Sequence, residues 1–114
     1  MVKVWFCITR KPGMTAEEFQ AYWRDIHGPI AAKIPNLRHY VQHHTRHALP
    51  PGFEALPTYD GVAELWWDDY PSALSALVSP ETMAAVADHA NFMDDHTRCA
   101  MFITDEVPIV DGRV

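Results

Sequence analysis

Short stretches near the start, the middle and the end of this chain are apolar in both phases of a β-strand. That feature restricts the folds open to it more than any other. In residues 2–9, rich in β-branched and aromatic side chains, Val4, Phe6 and Ile8 point to one side of a strand, and Trp5 and Cys7 to the other. In residues 61–67, Val62 and Trp66 oppose Leu65 and Trp67; in residues 99–104, Ala100 and Phe102 oppose Met101 and Ile103. A sheet with one wet face alternates apolar with polar residues, whereas this pattern asks for cover on both faces. Helices between the strands cover only one. An exposed apolar patch of that size is an aggregation hazard. The second face therefore requires a partner, most simply the same face of another copy about a two-fold axis. The alternative cover is the loop containing Pro50, Pro51, Gly52 and Pro57.

The residues between these stretches set the order of elements. Lys11-Pro12-Gly13 is a turn. Thr15 to Glu18 has capping-box spacing: the Thr hydroxyl accepts from the Glu18 amide, and Glu18 reaches back to the amide of Thr15. Phe19, Tyr22, Trp23, Ile26 and Ile30 follow at intervals of three and four, one face of a helix that Gly28-Pro29 interrupts. Pro29 can start a further short turn through Ile34, which Pro35-Asn36 stops. Residues 37–45 read as the second strand and residues 69–78 as a short helix. Ser79-Pro80-Glu81 opens a longer helix capped by Ser79, with Met83, Val86, Ala90 and Met93 as its predicted apolar side. The order βαββαβ is the ferredoxin-like arrangement of the α+β class, a four-stranded antiparallel sheet with the helices on one face. It fits one domain over residues 1–114.

Composition excludes several roles. The net charge is −6, and the nine Lys and Arg are scattered, with no basic run longer than Arg10-Lys11. Nucleic acid and anionic membrane surfaces both require clustered positive charge, so neither is an expected partner. No segment reaches the roughly 18 uninterrupted apolar residues of a membrane span, and no leader pattern precedes the first strand; a cytoplasmic location is the expectation. Cys7 and Cys99 lie in apolar segments and form no CxxC pair, as buried reduced thiols do. No Gly-rich phosphate loop or G-x-S-x-G elbow is present.

Phe19-x-x-Tyr22-Trp23-x-x-x-His27-Gly28-Pro29, followed by Pro35-Asn36-Leu37-Arg38-His39-Tyr40, resembles the EthD-like group of dimeric α/β-barrel proteins. Tyr59-Asp60-Gly61-Val62-Ala63-Glu64-Leu65-Trp66 and the closing Phe102-x-Thr104-Asp105-Glu106 continue the likeness over nearly the whole chain. The resemblance implies a homodimer whose sheets face each other and a small-molecule pocket between each subunit's own sheet and helices. It also implies chemistry without a metal or organic cofactor, although a fold by itself does not assign a reaction.

His27 is the strongest candidate catalytic residue. It follows Phe19 and Trp23 at intervals of four and precedes Gly28-Pro29, at what reads as the helix C-terminus. The helix end favours imidazolium and burial favours the neutral ring, a balance that suits a general base or acid. The plainer role is a cap on the last carbonyls. Tyr40 on the second strand is the other candidate, able to donate to a developing enolate, or else a core aromatic. The pairing of His27 with Tyr40 is what similarity to methylmuconolactone isomerases implies. Trp5, Trp23, Trp66 and Phe92 are candidate pocket walls, with core packing as the alternative. His44, on the Tyr40 face, and His89 are candidate substrate contacts. Asp60 either orients a histidine or makes the turn with Gly61. His39, His43, His44 and His47 suggest a metal, but His39 and His43 stand roughly 13 Å apart along a strand and His44 points to the other face, so no metal site is expected.

The reading is a cofactor-independent lyase, dehydratase or isomerase acting by acid–base chemistry on a small apolar carbonyl compound: an aromatic, a lactone or a polyketide-like ring. The alternatives are a non-catalytic small-molecule binding or accessory protein of an oxygenase pathway, and a cofactor-free monooxygenase.

Overall fold

The computed structural model describes residues 1–46, 50–53, 59–95 and 98–110. The elements are β1 (Val2–Ile8), α1 (Ala16–Tyr22), a π-helical turn (Trp23–His27), α2 (Gly28–Ala31), β2 (His39–His44), β3 (Gly61–Trp67), α3 (Tyr70–Leu77), α4 (Pro80–Asp88) extended by a 3-10 turn (His89–Asn91), and β4 (Ala100–Asp105). The strands form one antiparallel sheet in the order β2-β3-β1-β4, the ferredoxin-like order expected. No helix among the described residues is long and apolar enough to cross a membrane.

The register settles the two faces, because residues directly opposite one another share a side. Val4 pairs with Leu65 and Ile103, Phe6 with Ala63 and Met101, and Tyr40 with Leu65. That side meets the helices. Its buried core joins Val2, Val4, Ile8, Leu65 and Trp67 to Phe19, Trp23, Ala73, Ala85 and Phe92. The outer side holds Trp5, Cys7, Val62, Trp66 and Phe102, which share one side as the alternation predicted, but it takes Trp5 and Trp66 away from the pocket expected of them and is not uniformly apolar. Lys3 and Glu64 are buried there and lie 3.4 Å apart. Glu64 also accepts from the Trp66 indole and meets His43 Nε2 at 2.8 Å, while the Lys3 ammonium sits 4.0 Å from the Trp66 ring centroid. Lys3 and Glu64 escaped a pattern read only from apolar residues. Mutual pairing lets two charges share an aromatic surface.

The capping box forms: Thr15 N–H donates to Glu18 Oε1 at 2.9 Å, and Glu18 N–H to Thr15 Oγ1 at 3.1 Å. The first helix departs from expectation in the middle. It does not end at His27 but runs through the π turn into α2. Pro29 explains the turn, since it has no N–H and its ring collides with the carbonyl four residues back in an α-helix. Widening the ladder lets Gly28 N–H reach the Trp23 carbonyl instead. Four-residue steps in an α-helix overshoot one turn by about 40°; the wider turn undershoots. Phe19, Trp23, His27 and Ala31 are therefore all buried along one line, and Ile26, expected inside, is exposed.

The buried side of α4 is rotated by one residue from its predicted side. Thr82, Ala85 and Asp88 point inward, while Met83, Val86 and Ala90 are exposed; Met93, beyond the helix, is buried. The inward polar groups are satisfied. Thr82 Oγ1 donates to the Ala76 carbonyl at 2.7 Å, and Asp88 accepts from three side chains.

Candidate active site

A cavity of about 230 Å³ lies between the sheet and the helices. Val4, Phe6, Ile8, Ala63 and Leu65 form its floor, Trp23, Ala31 and Phe92 part of its roof. The polar side chains among the described residues lining it are His27, Tyr40, Thr82 and His89.

The π turn and α4 bring His27 to Asp88. His27 Nδ1 lies 2.9 Å from Asp88 Oδ2, and both side chains are almost fully buried. Asp88 Oδ1 accepts from the Tyr22 hydroxyl at 2.6 Å and from Asn91 Nδ2 at 2.9 Å. Burial would raise the Asp88 carboxyl, but the hydrogen bonds from Tyr22, Asn91 and His27 outweigh it and hold the group below the usual carboxylate range. Asp88 is then an acceptor, so Nδ1 of His27 carries the proton and Nε2 is left basic. Burial pulls His27 below its ordinary value, opposed by the hydrogen bond and charge of Asp88. A neutral imidazole with an oriented basic nitrogen and a carboxylate behind it is the arrangement of a general base. The helix-end argument for His27 falls away, because the helix continues past it; Asp88 takes the place of the helix dipole. The His27 ring centroid lies 4.7 Å from that of Phe92 and 5.4 Å from that of His89.

Tyr40 enters the same cavity from β2. Burial raises its phenol, opposed by hydrogen bonds that its oxygen receives from Gln42 and the Trp23 indole. Trp23 packs on the backbone of Gly61: a Cβ there would lie 2.3 Å from the indole Cζ3, so β3 begins with the one residue that lets the ring pass.

The candidates thus divide. Trp23, His27, Tyr40, His89 and Phe92 share the cavity. Trp5 and Trp66 do not: β-alternation puts them on the outer face, where Trp5 donates to Thr104 Oγ1 at 2.7 Å. Asp60 does not line the cavity; its Oδ2 accepts from the Arg10 backbone N–H at 2.8 Å, tying the start of β3 to the segment that follows β1. His44 shares the Tyr40 face but stands behind Trp23, ring centroids 4.6 Å apart, and its Nε2 is 2.9 Å from Gln42 Oε1. The His39 ring lies tilted against Trp66, centroids 4.5 Å apart, on the outer face that His43 shares; His47 lies outside the described residues. Sequence reasoning missed Asp88, Tyr22, Asn91 and Gln42 as supporting groups. The signal for Asp88 was the inward ladder Thr82, Ala85, Asp88, Phe92, hidden by its two polar members.

Comparison with solved structures gives the same architecture in distant relatives. The fold is similar to an ethyl tert-butyl ether D (EthD) family protein from Bacillus halodurans, at 22% identity and a TM-score of 0.71, covering 94% of this chain and 100% of that one. It is similar to a dimeric protein of unknown function and ferredoxin-like fold from Bacteroides fragilis (17% identity, TM-score 0.63, 92% and 95% covered). It is also similar to SnoaB, a cofactor-independent oxygenase from Streptomyces nogalater (13% identity, TM-score 0.62, 92% and 91% covered). No curated protein sequence matches. The EthD domain model matches residues 11–96, which span α1 to α4, β2, β3, His27, Tyr40 and Asp88, and the chain belongs to the EthD family.

Proposed function

We propose that this protein is a cofactor-independent lyase or isomerase that moves a proton next to the carbonyl of a small, largely apolar compound. The observation that carries the reading is the buried His27–Asp88 pair, 2.9 Å apart, with His27 in the wall of a largely apolar cavity. Nε2 of His27 takes a proton from the carbon beside the carbonyl. The electron pair left behind moves into the carbonyl to form an enolate, whose oxygen accepts a hydrogen bond from Tyr40. The imidazolium produced is held by Asp88. Returning that proton to another carbon gives an isomer; delivering it to a departing hydroxyl gives water and a double bond. Excluded water strengthens both electrostatic contacts. The volume is about one and a half times the roughly 150 Å³ that holds benzene, which favours a single substituted ring as substrate.

The working unit is a homodimer joined through the outer sheet face. Phe102 and Val41 are exposed there beside Trp5 and Trp66, and a fold relative is dimeric. Cofactor-free oxygenation is the second reading, favoured by the likeness to SnoaB; its opening step, proton removal to give an electron-rich ring, needs the same base. The test is to incubate the protein with a panel of single-ring ketones and lactones, following products by mass spectrometry and oxygen by electrode. Product without oxygen uptake, lost in His27→Ala while the dimer persists, supports the lyase or isomerase reading. Oxygen uptake transfers the assignment to the second reading. Tight binding with no product makes the protein a carrier.

A further inference from the structure

Tyr40, Gln42 and His44 alternate along β2, so all three project toward the helices. Their hydrogen bonds have one consistent direction. Gln42 Nε2 lies 2.8 Å from the Trp23 backbone carbonyl, which can only accept. That contact decides the orientation of the amide: its NH₂ faces Trp23 and its oxygen faces away. The second amide hydrogen points at Tyr40 Oη, 2.9 Å distant, and the amide oxygen accepts from His44 Nε2 at 2.9 Å. Tyr40 thus receives a hydrogen bond at its oxygen, and its own hydrogen is what it offers the cavity. The Trp23 carbonyl that anchors Gln42 is also the one that closes the π turn, so the helix defect that places His27 also orients Gln42.

We infer that Gln42, held by His44 and the Trp23 carbonyl, is a positioning residue that makes Tyr40 a one-way donor and so turns the cavity into a site for oxyanions on small aromatic rings. The inference rests on the proposed role of Tyr40 and deepens it. It assigns the ligand an accepting oxygen, as in an enolate or a phenolate, and disfavours a ligand that meets Tyr40 with an N–H or O–H group. Donation into the phenol oxygen strengthens the hydrogen bond that the phenol makes in turn.

The probe is 4-nitrophenol, a single ring whose ionisation is read directly by absorbance. Titrating it from acid to alkali in the presence of wild type, Tyr40→Phe, Gln42→Leu and Gln42→Glu compares how well each cavity holds the anion. Phenolate affinity, relative to the neutral phenol, is expected to fall about tenfold or more in Tyr40→Phe and about 3- to 10-fold in Gln42→Leu. Gln42→Glu, which keeps the shape but accepts the Tyr40 hydrogen itself, is expected to fall at least as far as Gln42→Leu. Circular dichroism checks that each variant is folded. A wild-type preference lost in Tyr40→Phe but intact in both Gln42 variants overturns the inference and leaves the role of Tyr40 standing. A preference indifferent to Tyr40→Phe overturns both. Failure of 4-nitrophenol to enter the wild-type cavity also overturns both.

Discussion

Asp88 Oδ2 accepts the Nδ1 proton of His27 across 2.9 Å, and the two belong to elements 61 residues apart in sequence, a π turn and the end of α4. The pair ties the first helical segment to α4 and selects the nitrogen left basic. Replacing Asp88 with Asn keeps the volume but removes the charge and offers His27 a donor as well as an acceptor. Turnover is expected to fall by about 10²-fold or more. The acid limb of the pH–rate profile is expected to move to lower pH, because the Asp88 charge that helps raise His27 is gone. Kinetics across the pH range check both effects.

The same pair makes stability depend on pH. His27 is held below its ordinary 6.5 in the folded protein. Above that value both states are neutral at this position and contribute no slope. As pH falls below 6.5 the unfolded chain takes up the proton first, so stability declines until folded His27 also protonates. His44, lowered first by burial and then by Arg24, acts in the same direction. Asp88 adds stability that is present above 3.8 and lost as pH falls toward its folded value. Urea unfolding at about pH 7.5 and about pH 5.5 is expected to give a lower midpoint at the acid value, with a smaller drop in His27→Gln.

Much of the topology could be read in advance because strands report their faces at every residue. Val4, Leu65 and Ile103 meet as alternation requires, and the Thr15–Glu18 box formed as spelled. The helices were read less well, for two physical reasons. Pro29 forces a turn with a different period, so counting in threes and fours placed Ile26 inside. Partnered polar groups can replace apolar ones on a buried face, so Thr82 and Asp88 point inward where Met83 and Val86 were expected. The half of the site that rests on His27, Tyr40 and Phe92 was legible as isolated residues. The half that rests on Asp88 and Gln42 was not, because their roles arise from contacts between distant elements.

Gly61 is expected to tolerate no side chain. A Cβ would meet the Trp23 indole at 2.3 Å and 2.7 Å, and the His43 carbonyl at 3.1 Å. Gly61→Ala is expected to destabilise by about 1–3 kcal/mol, measured by urea unfolding, and to weaken 4-nitrophenol binding as Trp23 shifts toward the cavity.

Phe102 faces outward beside Trp5 and is about half exposed in the single chain (47%). Phe102→Asp puts a charge at the proposed dimer contact, away from the cavity. Sedimentation velocity is expected to show a monomer whose circular dichroism matches that of wild type. A dimer of undiminished affinity places the interface elsewhere.

Proton transfer at His27 is tested most directly by deuterium exchange. Phenylacetone in D₂O presents acidic hydrogens beside a carbonyl on a single ring, and proton NMR follows their loss without any knowledge of the natural substrate. Wild type is expected to accelerate the exchange well above the buffer rate, His27→Ala to abolish the acceleration, and Tyr40→Phe to reduce it. Exchange in His27→Ala equal to that of wild type would contradict the assignment of His27 as the base.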